Sequence, residues 1–157
     1  MPQFEQLSNR VLATLKDWVE IESPSHDREA VMRMATRAEA DLLRLGAAIE
    51  RIPGTSGFAD ILLGRLPGKT TGPGILLLGH LDTVHPIGTL AADLPYRVEG
   101  DRAYGPGIYD MKAGNVMALT ALELLKEART EPCLPVTVMF IPDEEMGSPT
   151  SRADIEQ

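Results

Sequence analysis

The sequence predicts an α/β fold in a single domain, on three observations. Two aliphatic runs, residues 75–78 and 136–141, have the pattern of buried strands, and a helical stripe lies between them. Such a strand–helix–strand unit is almost always a right-handed crossover between parallel strands. The chain has 157 residues, 43% of them hydrophobic, which is the length and apolar content of one compact domain.

Two amphipathic helices are predicted before the sheet. In the first, apolar residues recur at helical spacing, and the pattern stops before Ser23 and Pro24 because proline restricts the residue that precedes it. Ser25 can cap the second helix, whose apolar stripe covers residues 31–45 and whose stop is Gly46. The chain therefore reaches the sheet through two consecutive helices.

The predicted strands form two hairpins and one parallel pair. Residues 47–52 and 58–63 are strand segments separated by turn residues, which favours a hairpin. Residues 75–78 are bounded by glycines and have the pattern of a strand buried on both faces, and residues 136–141 form the partner run. In the long connection that follows residue 80, the turn at residues 98–101 indicates a second hairpin.

Charge and cysteine content exclude several classes of protein. Lys and Arg total 15 against 23 Asp and Glu, a formal net charge of −8, and no basic run offers the stripe that a nucleic-acid binder needs. Cys133 is the only cysteine, so a disulfide framework and a zinc site of paired thiolates are excluded, and a reducing cytoplasm is the expected compartment. The apolar runs are too short to span a bilayer, so no membrane partner is expected.

Three side chains of metal-binding type are placed by the crossover. His80 ends the first central strand, Glu145 follows the second, and Asp110 precedes the crossover helix. Open α/β sheets bind ligands beyond the carboxyl ends of their strands, so the topology brings all three to one edge. One imidazole and two carboxylates can surround a divalent ion. The sequence therefore predicts a metal site of nitrogen and oxygen ligands.

Two more acidic residues are placed to assist this site. Asp82 lies two residues after His80, so both side chains can face the same way and the Asp82 carboxylate can accept the second ring N–H of His80. Glu144 can diverge from its neighbour Glu145, so that one glutamate binds the ion and the other takes a proton from a water that attacks a carbonyl.

Three sequence blocks, correctly spaced and in order, resemble one family. They are residues 79–86 (GHLDTVHP), 104–114 (YGPGIYDMKAG) and 142–148 (PDEEMGS) with Ser151 and Arg152, and the likeness extends to residues 21–25 (IESPS). They resemble the co-catalytic dizinc amidohydrolases, which include acetylornithine deacetylase, succinyl-diaminopimelate desuccinylase, aminoacylase and glutamate carboxypeptidase, with the last branch the most similar. The fold so implied is a three-layer α/β/α catalytic domain with a mostly parallel mixed sheet.

The resemblance also implies a role for each site residue. His80 would bind one zinc, Asp110 would bridge two zincs and Glu145 would bind the other, with cobalt or manganese as substitutes. Glu144 would be the general base and Asp82 would orient His80. The peptide bond that follows Asp110 would be cis. The substrate would be a small peptide or an N-acyl amino acid, hydrolysed at an amide bond next to a carboxylate.

Two further ligands of the family, an aspartate and a histidine, are expected later than Gln157. Residues 1–157 are therefore expected to be the amino-terminal portion of the catalytic domain, incomplete at the C-terminus and without the lid and dimerisation domain. A homodimer is expected only of the full-length enzyme. Hydrolysis by this chain alone is expected to be absent.

Simpler interpretations exist for single residues. A lone strand-end histidine is more often structural than a ligand, Asp110 alone could cap a helix, and residues 143–145 alone could be a solvated turn. His26 and His85 are not expected to bind metal. Residues 64–70 resemble a phosphate-binding loop, but too few residues separate their glycines. The alternative function is a non-catalytic fragment that binds metal weakly or pairs with another chain.

Overall fold

The structure is a computed structural model that describes residues 2–156, and it confirms the α/β class. The helices are α1 (Pro2–Val19), α2 (Arg28–Leu45), α3 (Ala113–Glu127) and α4 (Arg152–Ile155). The strands are β1 (Ala48–Ile52), β2 (Ile61–Leu66), β3 (Ile75–His80), β4 (Arg97–Glu99), β5 (Arg102–Tyr104) and β6 (Val136–Ile141). Each predicted helix and strand is present, although the strand predicted from residue 58 begins at Ile61, and α4 is additional. In the described part of the chain, no helix is both long and apolar enough to cross a membrane.

The main sheet is mixed, with strand order β1-β2-β6-β3. Strands β3 and β6 are parallel with α3 as their crossover, as predicted, and His80 pairs with Ile141. The pairs β1·β2 and β2·β6 are antiparallel, so one strand pair of the three is parallel. The parallel share is smaller than predicted because the short β1–β2 hairpin forces antiparallel pairing and β2 then lies against β6 in the opposite sense. The hairpin β4–β5 is also present as predicted.

Three helices cover one face of this sheet and bury the main core. Trp18 of α1, Leu42 of α2 and Val116 of α3 are fully buried there, with Leu62 and Phe140 of the sheet. The rings of Trp18 and Phe140 meet edge to face, with centroids 5.9 Å apart. The second helical layer is represented by α4, whose Ile155 packs on the opposite face against Ile61, Leu63, Met139 and Ile141.

Strand β3 does not have the environment that its aliphatic run predicts. Burial on both faces was expected, yet Leu76 is 49% and Leu78 is 44% exposed. The reason is position, because β3 lies at the edge of the sheet and pairs with β6 alone among the described residues. Leu77 points to the other face and packs against the main core. The prediction of a strand buried on both faces is therefore wrong for this chain.

Helix α2 begins at a different cap from the predicted one. Asp27 is the N-cap, and its carboxylate accepts a hydrogen bond from the N–H of Ala30 at 2.9 Å. The Ser25 hydroxyl instead donates to the carboxylate of Asp82 at 2.6 Å, so a tertiary contact decides between two good capping residues. The predicted stop is confirmed, since Gly46 ends the helix with φ of 91°.

We expect Asp27→Ala to lower the free energy of unfolding by roughly 1 kcal/mol, because the N–H of Ala30 loses its side-chain acceptor. Urea denaturation measures the change. His26→Ala alters an exposed neighbour and is the matched control, expected to stay within about 0.5 kcal/mol of the wild type. Equal values for the two variants would contradict the capping role of Asp27.

Candidate metal centre

The carboxyl ends of β3 and β6 bring the predicted ligands together. The ligating atoms of His80, Asp110 and Glu145 all lie within 4.8 Å of one another. His80 is the last residue of β3 and pairs with the last residue of β6, so the segments that follow both strands leave the sheet side by side. His26 and His85 lie outside this group. One nitrogen and two oxygen donors fit a divalent ion such as zinc, cobalt or manganese.

His80 is held by three contacts. Its Nε2 lies 2.9 Å from Oδ1 of Asp110, and its Nδ1 lies 3.0 Å from the main-chain oxygen of Asp82. Its own main-chain oxygen accepts a hydrogen bond from Nδ2 of Asn115 at 2.8 Å. The residue is 3% exposed, so the ring is fixed with Nε2 directed at the group of carboxylates.

The buried carboxylate of Asp82 joins three segments of the chain. Its Oδ2 accepts the Ser25 hydroxyl at 2.6 Å and the N–H of Glu145 at 3.2 Å, and its Oδ1 accepts the N–H of Glu144 at 3.2 Å. Oδ1 also lies 3.4 Å from Nδ1 of His80. The sequence predicted that this carboxylate would accept the ring N–H, whereas the main-chain oxygen of the same residue is the nearer acceptor.

Asp110 and Glu144 form the open side of the site. Their side chains are 66% and 50% exposed. Asp110 lies in an irregular turn, Ile108–Lys112, and its peptide bond to Met111 is cis, as the resemblance implies. Its carboxylate contacts His80, and no side chain caps α3, so the simpler interpretation of Asp110 as a helix cap does not hold.

The clustered charges change the acidity of the site. Burial lowers the pKa of His80, but hydrogen bonds to Asp82 and Asp110 outweigh it and raise that pKa to about 9. Burial raises the pKa of Asp82, but the contact with His80 reverses the direction and the pKa is lowered. Burial and the neighbouring carboxylates raise the pKa of Glu145, partly offset by His80. The carboxylates of Asp82, Asp110, Glu144 and Glu145 surround a single imidazole. This surplus of negative charge suits a divalent cation.

Asn115 supports the site and was not predicted from the sequence. It is 2% exposed on α3 and binds the main chain of His80. It also explains Gly79 in the first block, because a Cβ at that position would lie 2.2 Å from Oδ1 of Asn115. A lone asparagine beside the apolar stripe of α3 was the available signal.

Lys112 is a second supporting residue that sequence reasoning missed. Its ammonium is buried and donates to the main-chain oxygens of Trp18 and Ile21 at 3.0 and 2.6 Å. Burial lowers its pKa to about 8, and the charge of Glu22 partly offsets this. Lys112 therefore ties the end of α1 to the turn that carries Asp110.

Comparison with known proteins gives a consistent result. Residues 76–156 match the family model of peptidase family M20/M25/M40. The chain is 41% identical over 149 residues to carboxypeptidase G2 of Pseudomonas sp. (strain RS-16), which covers 94% of this chain and 35% of that protein. Human carnosine dipeptidase 1 superposes with a TM-score of 0.81 at 24% identity, over 98% of this chain and 36% of that one. A metallo-carboxypeptidase of Sulfolobus solfataricus gives 0.73 at 22%, over 88% and 32%. The chain spans about a third of the length of these relatives.

We expect zinc binding to release about one proton per chain at neutral pH. A histidine binds metal only when its ring is neutral, whereas a pKa of about 9 keeps His80 protonated in the metal-free chain. As the pH is raised toward that pKa, the apparent affinity for zinc should therefore increase by up to about tenfold for each pH unit. Calorimetric titration in two buffers of different ionisation enthalpy measures the released protons. His80→Ala is the control, and proton release equal to the wild type in this variant would contradict the assignment.

Proposed function

The chain belongs to peptidase family M20/M25/M40, and on that basis we propose that its site serves the metal-dependent hydrolysis of an amide or peptide bond next to a carboxylate. The observation that carries the proposal is the convergence of His80, Asp110 and Glu145 within 4.8 Å. The likeness to carboxypeptidase G2 supports a bond at the carboxyl end of the substrate. The expected substrates are small peptides and N-acyl amino acids.

We assign the three converging side chains as metal ligands. His80 supplies a buried nitrogen and Glu145 a half-buried oxygen, and Asp110 supplies the exposed carboxylate that the resemblance places between two zincs. Bound zinc, or cobalt or manganese in its place, would polarise the substrate carbonyl and make a water more acidic.

Glu144 is placed to act as the general base. Its side chain is half exposed, and Oε2 lies 3.9 Å from Nε2 of His80, so a water on the open side of the site is within its reach. Glu144 takes the proton of the attacking water and returns it to the leaving amine. Asp82 serves the same reaction indirectly, because it fixes the main chain of both glutamates and orients His80.

Residues 1–157 are proposed to form the amino-terminal portion of the catalytic domain. The exposed edge strand β3, with Leu76 and Leu78 half exposed, supports this assignment, because an apolar edge is normally paired or covered. A homodimer is proposed only for the full-length enzyme. The single cysteine, Cys133, fits a reducing cytoplasm as its compartment.

A second candidate is a non-catalytic chain that binds metal weakly. It is favoured by the ligand count, since the described residues bring together three ligating groups, fewer than two co-catalytic ions need. Both candidates predict that the isolated chain is inactive, and they differ in the activity they predict for a chimera with the rest of a relative.

The purified 157-residue chain is expected to show no zinc-dependent hydrolysis of N-acyl amino acids or dipeptides. The reason is that each zinc ion would lack some of its protein ligands. The negative charge that develops on the carbonyl oxygen of the substrate would also lack its second metal contact. Product release, followed with added zinc over several hours, measures this. Robust zinc-dependent turnover that His80→Ala abolishes would contradict the expectation.

A chimera tests the catalytic assignment. Residues 1–157 replace the matched third of carboxypeptidase G2, and we expect zinc-dependent hydrolysis of substrates with a free carboxylate. Glu144→Gln should then lower kcat by at least about 100-fold, because the general base is lost, with metal content unchanged. Glu145→Gln is the matched control and should lose metal as well as activity. An active Glu144→Gln chimera would refute the assignment of the base.

A further inference from the structure

The turn that carries both glutamates is built around one buried carboxylate, that of Asp143. Asp143 follows β6 directly and is 0% exposed. Its Oδ2 accepts the N–H and the hydroxyl of Thr150 at 2.7 and 2.8 Å and the N–H of Ser151 at 3.2 Å, and its Oδ1 accepts the hydroxyl of Ser151. Two donors from each of two consecutive residues thus converge on one side chain.

The main chain of Asp143 closes the same turn from the inside. Its carbonyl oxygen accepts the N–H of Met146 at 3.2 Å and that of Ser148 at 2.9 Å. Gly147 and Ser148 reverse the chain with φ of 82° and 53°. Residues 143–151 therefore form a closed loop whose centre is Asp143.

A second buried aspartate holds the other side of the glutamate pair. Asp82 accepts the N–H of Glu144 and the N–H of Glu145, each at 3.2 Å. Asp82 is 1% exposed and belongs to the segment after β3, whereas Asp143 belongs to the loop itself. The main chain of the glutamate pair is consequently fixed from both sides while the Glu144 side chain stays half exposed.

We propose that Asp143 is a positioning residue for this pair: it holds loop 143–151 in the shape that directs Glu145 toward His80 and leaves Glu144 free to reach a water. The proposal rests on the proposed function of the site. Burial of a carboxylate is unfavourable unless hydrogen bonds satisfy it, and here several donors do so at once. An apolar side chain could fill the same space but could not bind both Thr150 and Ser151.

Two substitutions of Asp143 separate positioning from mere packing. In Asp143→Ala the main-chain N–H groups of Thr150 and Ser151 lose their side-chain acceptor, so the loop is released. In Asp143→Asn the amide oxygen can replace Oδ2, and the NH₂ group can donate to the hydroxyl oxygen of Ser151. The asparagine variant is therefore the conservative rescue of the alanine variant.

Cobalt(II) is the probe of the metal site, because its visible absorption reports the ligand geometry. We expect Asp143→Ala to weaken Co²⁺ binding by roughly 10- to 100-fold and to change the spectrum, because release of loop 143–151 displaces the proposed ligand Glu145. Asp143→Asn should keep the wild-type spectrum. Asp41→Ala is the matched control: Asp41 is 2% exposed and accepts Nε1–H of Trp18 at 2.7 Å, so its loss should lower the melting temperature and leave Co²⁺ binding unchanged.

Amide hydrogen exchange of the metal-free chain is the second readout. In Asp143→Ala the N–H groups of Glu144 and Glu145 should exchange faster relative to those of β6, and in Asp41→Ala they should not. Ser151→Ala removes only the donor to Oδ1, so its effect has the same direction and is smaller. This variant decides the question if Asp143→Ala does not fold.

The outcomes distinguish this proposal from the function on which it rests. Wild-type Co²⁺ affinity and unchanged exchange at both glutamates in Asp143→Ala, or in Ser151→Ala if the former does not fold, would overturn the positioning role. Co²⁺ binding that is the same with and without His80 would refute the metal site instead. In that case the exchange rates at Glu144 and Glu145 still show whether Asp143 holds the pair.

Discussion

The buried carboxylate of Asp82 accepts hydrogen bonds from the hydroxyl of Ser25 and from the main-chain N–H of Glu144 and Glu145. These donors come from the segment between α1 and α2 and from the turn after β6, and Asp82 itself follows β3. A buried donor or acceptor left without a partner costs about 1–3 kcal/mol, and more when it is charged. None of the three segments can move away without that loss. The geometry of the proposed metal ligands therefore depends on how these three segments pack together.

The segment between α1 and α2 belongs to the site although it holds no predicted ligand. The Ser23 hydroxyl donates to the main-chain oxygen of Leu81 at 2.7 Å, and the main-chain oxygen of Ser23 accepts the N–H of Thr83 at 2.8 Å. Lys112 binds the same segment at Ile21. These contacts give the likeness of residues 21–25 to the family a physical cause, because this segment fixes the chain on both sides of Asp82.

Sequence reasoning succeeded where local pattern decides structure. The runs of β3 and β6 and the stripe of α3 define a crossover, and the crossover alone places His80 and Glu145 at one edge. It failed where the outcome depends on distant partners. Strand β3 is an edge strand because it pairs with β6 alone in the described part of the chain. The Ser25 hydroxyl donates to Asp82 instead of capping α2. Neither the strands that lie beside β3 nor the acceptor of the Ser25 hydroxyl can be predicted from neighbouring residues in the sequence.

The buried half of the site, His80 and Asp82, is held more firmly than the exposed half, Asp110 and Glu144. His80 and Asp82 follow a strand of the sheet and are buried, with hydrogen bonds that fix their orientation. Asp110 and Glu144 extend from irregular turns, and their side chains are largely exposed. Tyr109, beside Asp110, is fully exposed and extends this open side. The buried half fixes the nitrogen donor of His80, whereas the carboxylates of Asp110 and Glu144 are open to solvent. The proposed metal ligands are therefore divided between the two halves, with His80 in the buried half and Asp110 in the exposed half.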